Sequence, residues 1–226
     1  MSKITIGAIT IGQAPRTDMT KDMADALSEN ITLVEFGALD DYSLEAVQRL
    51  FAPQRGDTVL VSRMKDGTQV RLSEQAILPL IQGCIDKAQR AEVSAILLLC
   101  TGAFPEFTSD RLLLEPQPIF HSLSSKLAGT KRVGLIVPDK AQEEQVRKRW
   151  QASGIDVTLA IGSPYKGLDE VLAAAEELKT EDLAFICLDC MGFTVEMKKK
   201  VSEITGKPVI LPRTLMARII NELFAT

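Results

Sequence analysis

The sequence has little of what metal sites and membrane anchors require. His121 is the one histidine in 226 residues, and the single Cys-x-x-Cys, at Cys187 and Cys190, has no second pair to complete a zinc site. No apolar run reaches the roughly 20 residues of a membrane-spanning helix. The first residues lead directly into a predicted strand and lack the apolar core of a signal peptide. We therefore expect a cytoplasmic protein with no metal site and no membrane segment.

Charge and cysteine content argue against two further classes, nucleic-acid-binding proteins and redox proteins of the thioredoxin kind. The formal net charge is −4, and the one run of like charge, residues 198–200, is typical of a solvated helix face rather than of a nucleic-acid-binding patch. Four cysteines without secretory context indicate free thiols in a reducing compartment. The Cys-x-x-Cys lies along a predicted strand, whereas a redox pair of the thioredoxin kind sits at the start of a helix. We expect no nucleic-acid partner.

Two short apolar runs end in a cysteine followed by a glycine turn. They cover residues 95–99 and 184–188, and their turns read Cys100-Thr101-Gly102 and Asp189-Cys190-Met191-Gly192. Such runs are typical of buried strands in parallel sheets, where ligands bind beyond the carboxyl ends of the strands. The two cysteines are 90 residues apart, close to the length of one half of the chain. The alternative is that both are ordinary small core residues, because free cysteine is often buried.

The alternation of strands and helices predicts an α/β protein with two Rossmann-like lobes. Each lobe has a mainly parallel sheet, the two are related by an approximate two-fold, and a ligand cleft lies between them. We assign residues 1–116 plus 213–226 to the N-terminal lobe and residues 117–212 to the C-terminal lobe, with Pro116 and Pro118 at the boundary. A loop is predicted ahead of Pro116, and His121 is expected at a cap or on the surface of a helix.

The turn after the first strand is a candidate anion site. Gly12 permits a tight turn, and a helix begins soon afterwards whose first N–H groups have no partner within the helix. Gln13 and Arg16 would add side-chain donors there. Arg63 flanks a hairpin whose turn contains Asp-Gly, and it could reach a nearby ligand. The alternative is an ordinary connection between strand and helix, with both arginines facing water.

Two thiols that face one small substrate can act as base and acid on one carbon. A thiolate removes the proton α to a carboxylate, and the opposite thiol returns a proton and inverts the centre. The N–H groups of residues 101–102 and 191–192 (Thr101, Gly102, Met191, Gly192) would stabilise the carboxylate and the developing enolate. Thr101 either binds the ligand or holds its own turn, and Asp189 either contacts a partner or caps the next turn.

Three motifs resemble the AroM family: residues 10–16 (TIGQAPR), 62–67 (SRMKDG) and 188–193 (LDCMGF). The resemblance extends over the whole chain. That family is in turn similar to the aspartate/glutamate racemase superfamily, which has two α/β lobes and one cysteine from each. The resemblance implies that Cys100 and Cys190 are the acid/base pair, that no cofactor is used, and that a small carboxylate binds between the lobes. Racemases of that superfamily have an Asp-Ser pair in the first loop, whereas residues 13–16 of this chain read QAPR. The guanidinium of Arg16 suits a carboxylate of the ligand.

These arguments predict a cofactor-independent racemase or isomerase. It would act at the carbon α to a carboxylate of a small amino acid-like or dicarboxylic substrate. The superfamily is also similar to hydantoin racemases, maleate isomerases and arylmalonate decarboxylases, some of which need one cysteine. A lyase or cis–trans isomerase that uses Cys190 alone therefore stays open, as do a non-catalytic carboxylate-binding protein and assembly as a homodimer.

Overall fold

A computed structural model describes residues 3–225 and contains two four-stranded sheets and a two-stranded hairpin. The strands span Ile4–Thr10 (β1), Ile31–Gly37 (β2), Val59–Arg63 (β3), Gln69–Ser73 (β4), Ala95–Leu98 (β5), Leu112–Leu114 (β6), Val133–Val137 (β7), Val157–Ile161 (β8), Ile186–Leu188 (β9) and Val209–Ile210 (β10). The helices span Thr17–Ala24 (α1), Leu44–Leu50 (α2), Glu74–Arg90 (α3), Pro116–Ala128 (α4), Glu143–Ala152 (α5), Leu168–Leu178 (α6), Val195–Thr205 (α7) and Pro212–Phe224 (α8), with a 3-10 turn at Lys140–Gln142.

The two large sheets have the same strand order. One runs β2-β1-β5-β6 and the other β8-β7-β9-β10, and every pair in both is parallel. In each sheet the first strand in the chain is flanked by the second and the third, and the fourth lies at an edge. β5 and β9 are thus equivalent third strands. The prediction of an α/β fold with mainly parallel sheets is confirmed, and β3 and β4 form the predicted antiparallel hairpin.

Burial explains why the central strands read as continuous apolar runs. All four residues of β5 and all five of β7 are buried, because helices cover both faces of each sheet. Side-chain oxygens mark two helix starts: Ser43 accepts a hydrogen bond from the N–H of Ala46, and Thr194 accepts one from the N–H of Met197.

The last helix packs on the first sheet rather than on the one that precedes it in the chain. The α8 residues Met216, Ala217 and Ile220 share a core with β1 and α1. Helix α4 buries Phe120 against the core beneath the second sheet. The lobe boundaries at residues 116/117 and 212/213 stay a prediction.

Two local expectations were wrong. The segment ahead of Pro116 contains the edge strand β6 rather than a loop alone; Leu112 at its start is 50% exposed, so burial gave no pattern to recognise. His121 is buried, with its ring centroid 4.1 Å from that of Trp150 in α5 and its Nδ1 3.2 Å from the hydroxyl of Ser153. The α4 face that carries it is covered by α5, which the spacing of apolar residues in α4 does not indicate.

No helix within residues 3–225 is both long enough and apolar enough to cross a bilayer.

Candidate functional site

The two predicted thiols line one cavity. Cys100 and Cys190 each lie two residues beyond the end of an equivalent strand, β5 and β9 respectively. The cavity between them has a volume of about 20 Å³, close to that of a single water molecule. It is lined by Leu60, Val61, Cys100, Thr101, Gly102, Pro138, Gln142, Val146, Arg149, Asp189 and Cys190. Five residues that were predicted from the sequence therefore meet here: Cys100, Thr101, Gly102, Asp189 and Cys190.

The two cysteine turns have matched hydrogen bonds. The N–H of Gly102 donates to Cys100 Sγ at 3.3 Å, and the N–H of Gly192 donates to Cys190 Sγ at 3.4 Å. We expected these N–H groups to face the substrate, but here they contact the sulfur two residues earlier. A donor in this position stabilises a thiolate more than a thiol, so each turn favours ionisation of its own cysteine.

Burial works against ionisation at both cysteines. It raises the pKa of Cys100 to about 12, although the Gly102 N–H lowers it in part. Burial also raises the pKa of Cys190, where the Gly192 N–H, Tyr165 and Arg16 act in the opposite direction. Both groups are therefore mainly thiols at neutral pH, and Cys190 has the larger set of groups that stabilise its thiolate.

Tyr165 connects Cys190 to a buried arginine. Its hydroxyl oxygen lies 3.6 Å from Cys190 Sγ and accepts a hydrogen bond from Arg16 Nη2 at 3.3 Å. A guanidinium can only donate, so the tyrosine hydrogen remains free to point at the sulfur. Arg16 is 2% exposed and makes a bidentate contact with Asp18 at 2.9 and 2.8 Å. Arg16, predicted to bind substrate, thus holds the hydroxyl of Tyr165 beside Cys190.

Electrostatics keep Arg16 charged in this position. Burial alone would lower its pKa, but Tyr165 and Asp18 raise it above the ordinary value. The pKa of Asp18 is lowered: burial would raise it, and the hydrogen bond and charge of Arg16, with Arg63, outweigh that effect. Burial and Cys190 raise the pKa of Tyr165, so its hydroxyl stays protonated and can donate.

Gly12 lies where the first loop passes close to the hairpin. A Cβ at this position would collide with the backbone carbonyl of Arg63 and the hydroxyl of Ser62. The Arg63 guanidinium lies 3.4 Å from Asp18 Oδ2. Neither Gly12 nor Arg63 lines the cavity in the described part of the chain, and substrate binding by either stays a prediction.

The side chain of Gln13 is used to join the first loop to its surroundings. Its Nε2 donates to the carbonyls of Leu39 at 3.2 Å and Tyr42 at 3.0 Å, and its Oε1 accepts from the N–H of Lys65 at 2.8 Å. These bonds use both the nitrogen and the oxygen of the amide and connect the first loop to residues 39–42 and to the hairpin. Ligand binding by Gln13 also stays a prediction.

The carboxylate of Asp189 is directed at α5 rather than at the turn that follows it. Its Oδ2 accepts hydrogen bonds from Arg149 Nη2 at 3.1 Å and from Trp150 Nε1 at 2.9 Å, and the side chain is fully buried. The capping role considered for Asp189 is therefore not the one that its contacts show.

Arg213 fixes the turn after Cys190. Its Nε and Nη2 donate to the carbonyl of Met191 at 3.0 and 2.8 Å, while Nη1 donates to the carbonyl of Asp18 at 2.7 Å and to Asp22 Oδ2 at 2.8 Å. The guanidinium is fully buried and joins α1 to the cysteine turn of the other sheet. Met191 and Gly192 are both buried, and neither is among the residues that line the cavity.

Sequence reasoning missed Tyr165, Arg149 and Arg213. Tyr165 follows the carboxyl end of β8, so the rule that located the cysteines could have found it. The two arginines lie in helices, and neither spacing nor composition indicates that they turn inward. Within residues 3–225, no group of three or more His, Cys, Asp and Glu side chains is arranged to hold a metal ion.

Solved structures of low sequence identity have the same fold. A maleate cis–trans isomerase of Nocardia farcinica aligns with a TM-score of 0.66 at 14% identity, over 97% of this chain and 92% of that one. An allantoin racemase of Pseudomonas fluorescens aligns with a TM-score of 0.64 at 13% identity, over 97% and 90%. A glutamate racemase of Francisella tularensis in complex with D-glutamate aligns with a TM-score of 0.61 at 16% identity, over 99% and 81%.

The sequence comparisons assign the family. No curated protein matches the chain significantly. The family model described as AroM protein matches residues 6–224, which confirms the resemblance noted in the three sequence motifs. The two equivalent parallel sheets have the fold of the aspartate/glutamate racemases. Because the family model covers nearly the whole sequence, the chain belongs to the AroM family.

Proposed function

We propose that the protein is a cofactor-independent racemase or isomerase of a small carboxylate, with Cys100 and Cys190 as acid and base. One observation carries this proposal: the thiols follow equivalent strands of two sheets and line the same cavity. Solved structures with this fold include racemases and isomerases. The substrate would be amino acid-like or dicarboxylic, with its α carbon between the sulfurs.

The proposed reaction needs only the two sulfurs as proton carriers. The thiolate of one cysteine forms an S–H bond with the α proton as the C–H bond breaks, and the electron pair moves into the adjacent carboxylate to give an enediolate. The thiol of the other cysteine then gives its proton to the opposite face of the carbon and becomes the thiolate. Proton count and charge balance, and the configuration at the carbon is inverted.

Cys190 is the better candidate for the cysteine that ionises first and acts as the base. Two protein donors contact its sulfur, the N–H of Gly192 and the hydroxyl of Tyr165, whereas the sulfur of Cys100 has one, the N–H of Gly102. Hydrogen bonds to the ionised form lower the pKa of an acid. The same asymmetry favours a second candidate, a lyase or cis–trans isomerase in which Cys190 works alone.

Substrate entry requires the cavity to open. A volume of about 20 Å³ holds about one water molecule, which is far less than the volume of an amino acid. The residues that line the cavity come from segments on both sheets, so separation of these segments would admit the ligand. Closure around it would then exclude water from the sulfurs.

Proton NMR in heavy water tests the proposal. The purified, reduced protein is incubated with amino acids, hydroxy acids and small dicarboxylates, and loss of an α-proton signal is followed. We expect exchange with at least one compound and loss of racemisation in both Cys100→Ser and Cys190→Ser. Cys84→Ala, a change in the core of α3, is the matched control and should retain activity.

The cysteine variants also separate the alternatives. If Cys100→Ser retains turnover and Cys190→Ser does not, the one-cysteine reaction replaces racemisation. If no compound exchanges but some stabilise the protein against heat, the protein is a binding protein.

A further inference from the structure

Unpartnered buried polar atoms concentrate at the cavity between the thiols. Among the residues that the structure describes, the buried side-chain nitrogen and oxygen atoms without a hydrogen-bond partner belong to His121, Gln142, Arg149 and Asp189. The last three residues line the cavity. Buried polar atoms in folded proteins are nearly always paired, because desolvation without a hydrogen bond is unfavourable. Because three residues with such an atom line one cavity, we expect the polar groups of a ligand to bind there.

Two of the three atoms are acceptors. Asp189 Oδ2 is occupied by Arg149 and Trp150, which leaves Oδ1. Gln142 Nε2 donates to the carbonyl of Val59 at 3.1 Å, which fixes the orientation of the amide and leaves Oε1. An acceptor is satisfied only by a donor, so a ligand at this end of the cavity must present N–H or O–H groups.

The third atom is a donor. Arg149 Nε carries a hydrogen that no protein acceptor receives, while Nη2 of the same group donates to Asp189. An oxyanion is its natural complement. Donor and acceptors lie on neighbouring side chains, so the complementary ligand carries an oxyanion and a hydrogen-bond donor close together.

We propose that this site selects ligands that carry an N–H group on the carbon next to a carboxylate, over dicarboxylates that have no hydrogen-bond donor there. The inference rests on the proposed function for the choice of cavity and of a carboxylate ligand. The N–H group belongs to an α-ammonium or to an acylated α-nitrogen such as a ureido group. Asp189 and Gln142 accept its hydrogens, and Arg149 contacts the carboxylate.

Calorimetric titration of three ligands with one carbon skeleton tests this selection. Succinate has no nitrogen, aspartate has an ammonium, and N-carbamoyl aspartate has a ureido nitrogen; the last two are used as both enantiomers. We expect at least one nitrogen compound to bind about tenfold or more tightly than succinate, as one hydrogen bond to a charged group provides. Whether aspartate or its carbamoyl derivative binds more tightly identifies the form of the nitrogen.

Two glutamines that share a partner form a matched pair of variants. Gln142 and Gln145 both donate to the carbonyl of Val59, but the Oε1 of Gln145 is already used by the N–H of Val59 at 2.8 Å. We expect Gln142→Met to weaken the preferred nitrogen compound about tenfold and to leave succinate unchanged. Gln145→Met should leave the ratio of the two affinities unchanged.

Equal affinity for succinate and the nitrogen compounds would overturn the inference, and so would equal weakening of all ligands by Gln142→Met. Failure of both nitrogen compounds to bind at millimolar concentration would mean that the three atoms bind water only, which also overturns it. Titration needs no turnover. Selective binding without proton exchange would therefore refute the racemase proposal while the ligand class stands.

Discussion

Removing one hydroxyl should shift the ionisation of Cys190. In Tyr165→Phe, the sulfur loses the hydroxyl that lies 3.6 Å away, while the ring and its contacts remain. That hydroxyl lowers the pKa of Cys190 against the effect of burial. A hydrogen bond to a charged group contributes about 1.5–3 kcal/mol, and about 1.4 kcal/mol corresponds to 1 in pKa. The separation is long for such a bond, so we expect the pKa of Cys190 to rise by about 1.

Alkylation by iodoacetamide measures this change. The reagent reacts with the thiolate, so a rise of about 1 in pKa lowers the rate about tenfold at any pH well below it. Cleavage before Asp189 places Cys190 and Cys187 on different peptides, so mass spectrometry separates the modification of Cys190 from that of the other three cysteines. The midpoint of the pH profile reports the pKa even if the variant changes the access of the reagent to the cavity.

The chain provides a control in its other tyrosine. Tyr42 packs against Phe51 with ring centroids 4.9 Å apart, in the core of the first sheet. Tyr42→Phe should leave the Cys190 profile unchanged. If the profile of Tyr165→Phe matches the wild type, or moves to lower pH, the hydroxyl does not stabilise the thiolate and the reasoning is refuted.

Three further predictions concern stability, measured as the free energy of unfolding in urea. Burial lowers the pKa of His121 from 6.5 to about 4, so the unfolded state binds the proton more tightly than the folded state does. The free energy of unfolding should therefore be highest above pH 6.5 and should fall by up to about 3 kcal/mol as the pH is lowered to 4. His121→Phe should make the free energy of unfolding less dependent on pH in this range. Arg213→Met should cost about 3 kcal/mol because it leaves the buried carbonyl of Met191 without its donor and removes the charged partner of Asp22. Arg218→Met, exposed on the same helix, should change little, and equal effects of the two variants would contradict the role of the buried guanidinium. Gly12→Ala should cost about 1–3 kcal/mol because its Cβ collides with the hairpin. Gly83→Ala, where a Cβ meets open space on α3, should stabilise the protein by about 0.5–1 kcal/mol. If Gly12→Ala leaves the free energy of unfolding unchanged, the first loop is free to move away from the hairpin.

The sequence was sufficient for the central strands of the two sheets and for the position of the cysteines beyond the ends of two of them. Buried parallel strands are continuous apolar runs, and Cys100 and Cys190 each lie two residues beyond the end of such a strand, β5 or β9. One pattern therefore locates both the core and the edge where the cavity lies. The edge strand β6 has a partly exposed start and three residues, too few for a pattern.

Contacts between distant segments could not be predicted in the same way. Tyr165 and Arg16 are 149 positions apart, and no spacing relates them. The role of Asp189 depends on a helix 39 positions earlier that supplies Trp150. Gln13 is recognisable from the sequence as a polar side chain in the first loop, but its partners depend on how the hairpin folds against that loop.

The stereochemistry of proton exchange tests the central claim most directly, which is that thiols on opposite sides of one carbon share the reaction. One enantiomer of a compound that exchanges is incubated with the protein in heavy water, and substrate and product are separated by chiral chromatography early in the reaction. The account predicts deuterium in the inverted product and hydrogen retained in the remaining substrate, because the base that removes the proton is not the acid that returns one. Deuterium in the recovered substrate without inversion would mean that one thiol acts alone and would contradict the two-cysteine account.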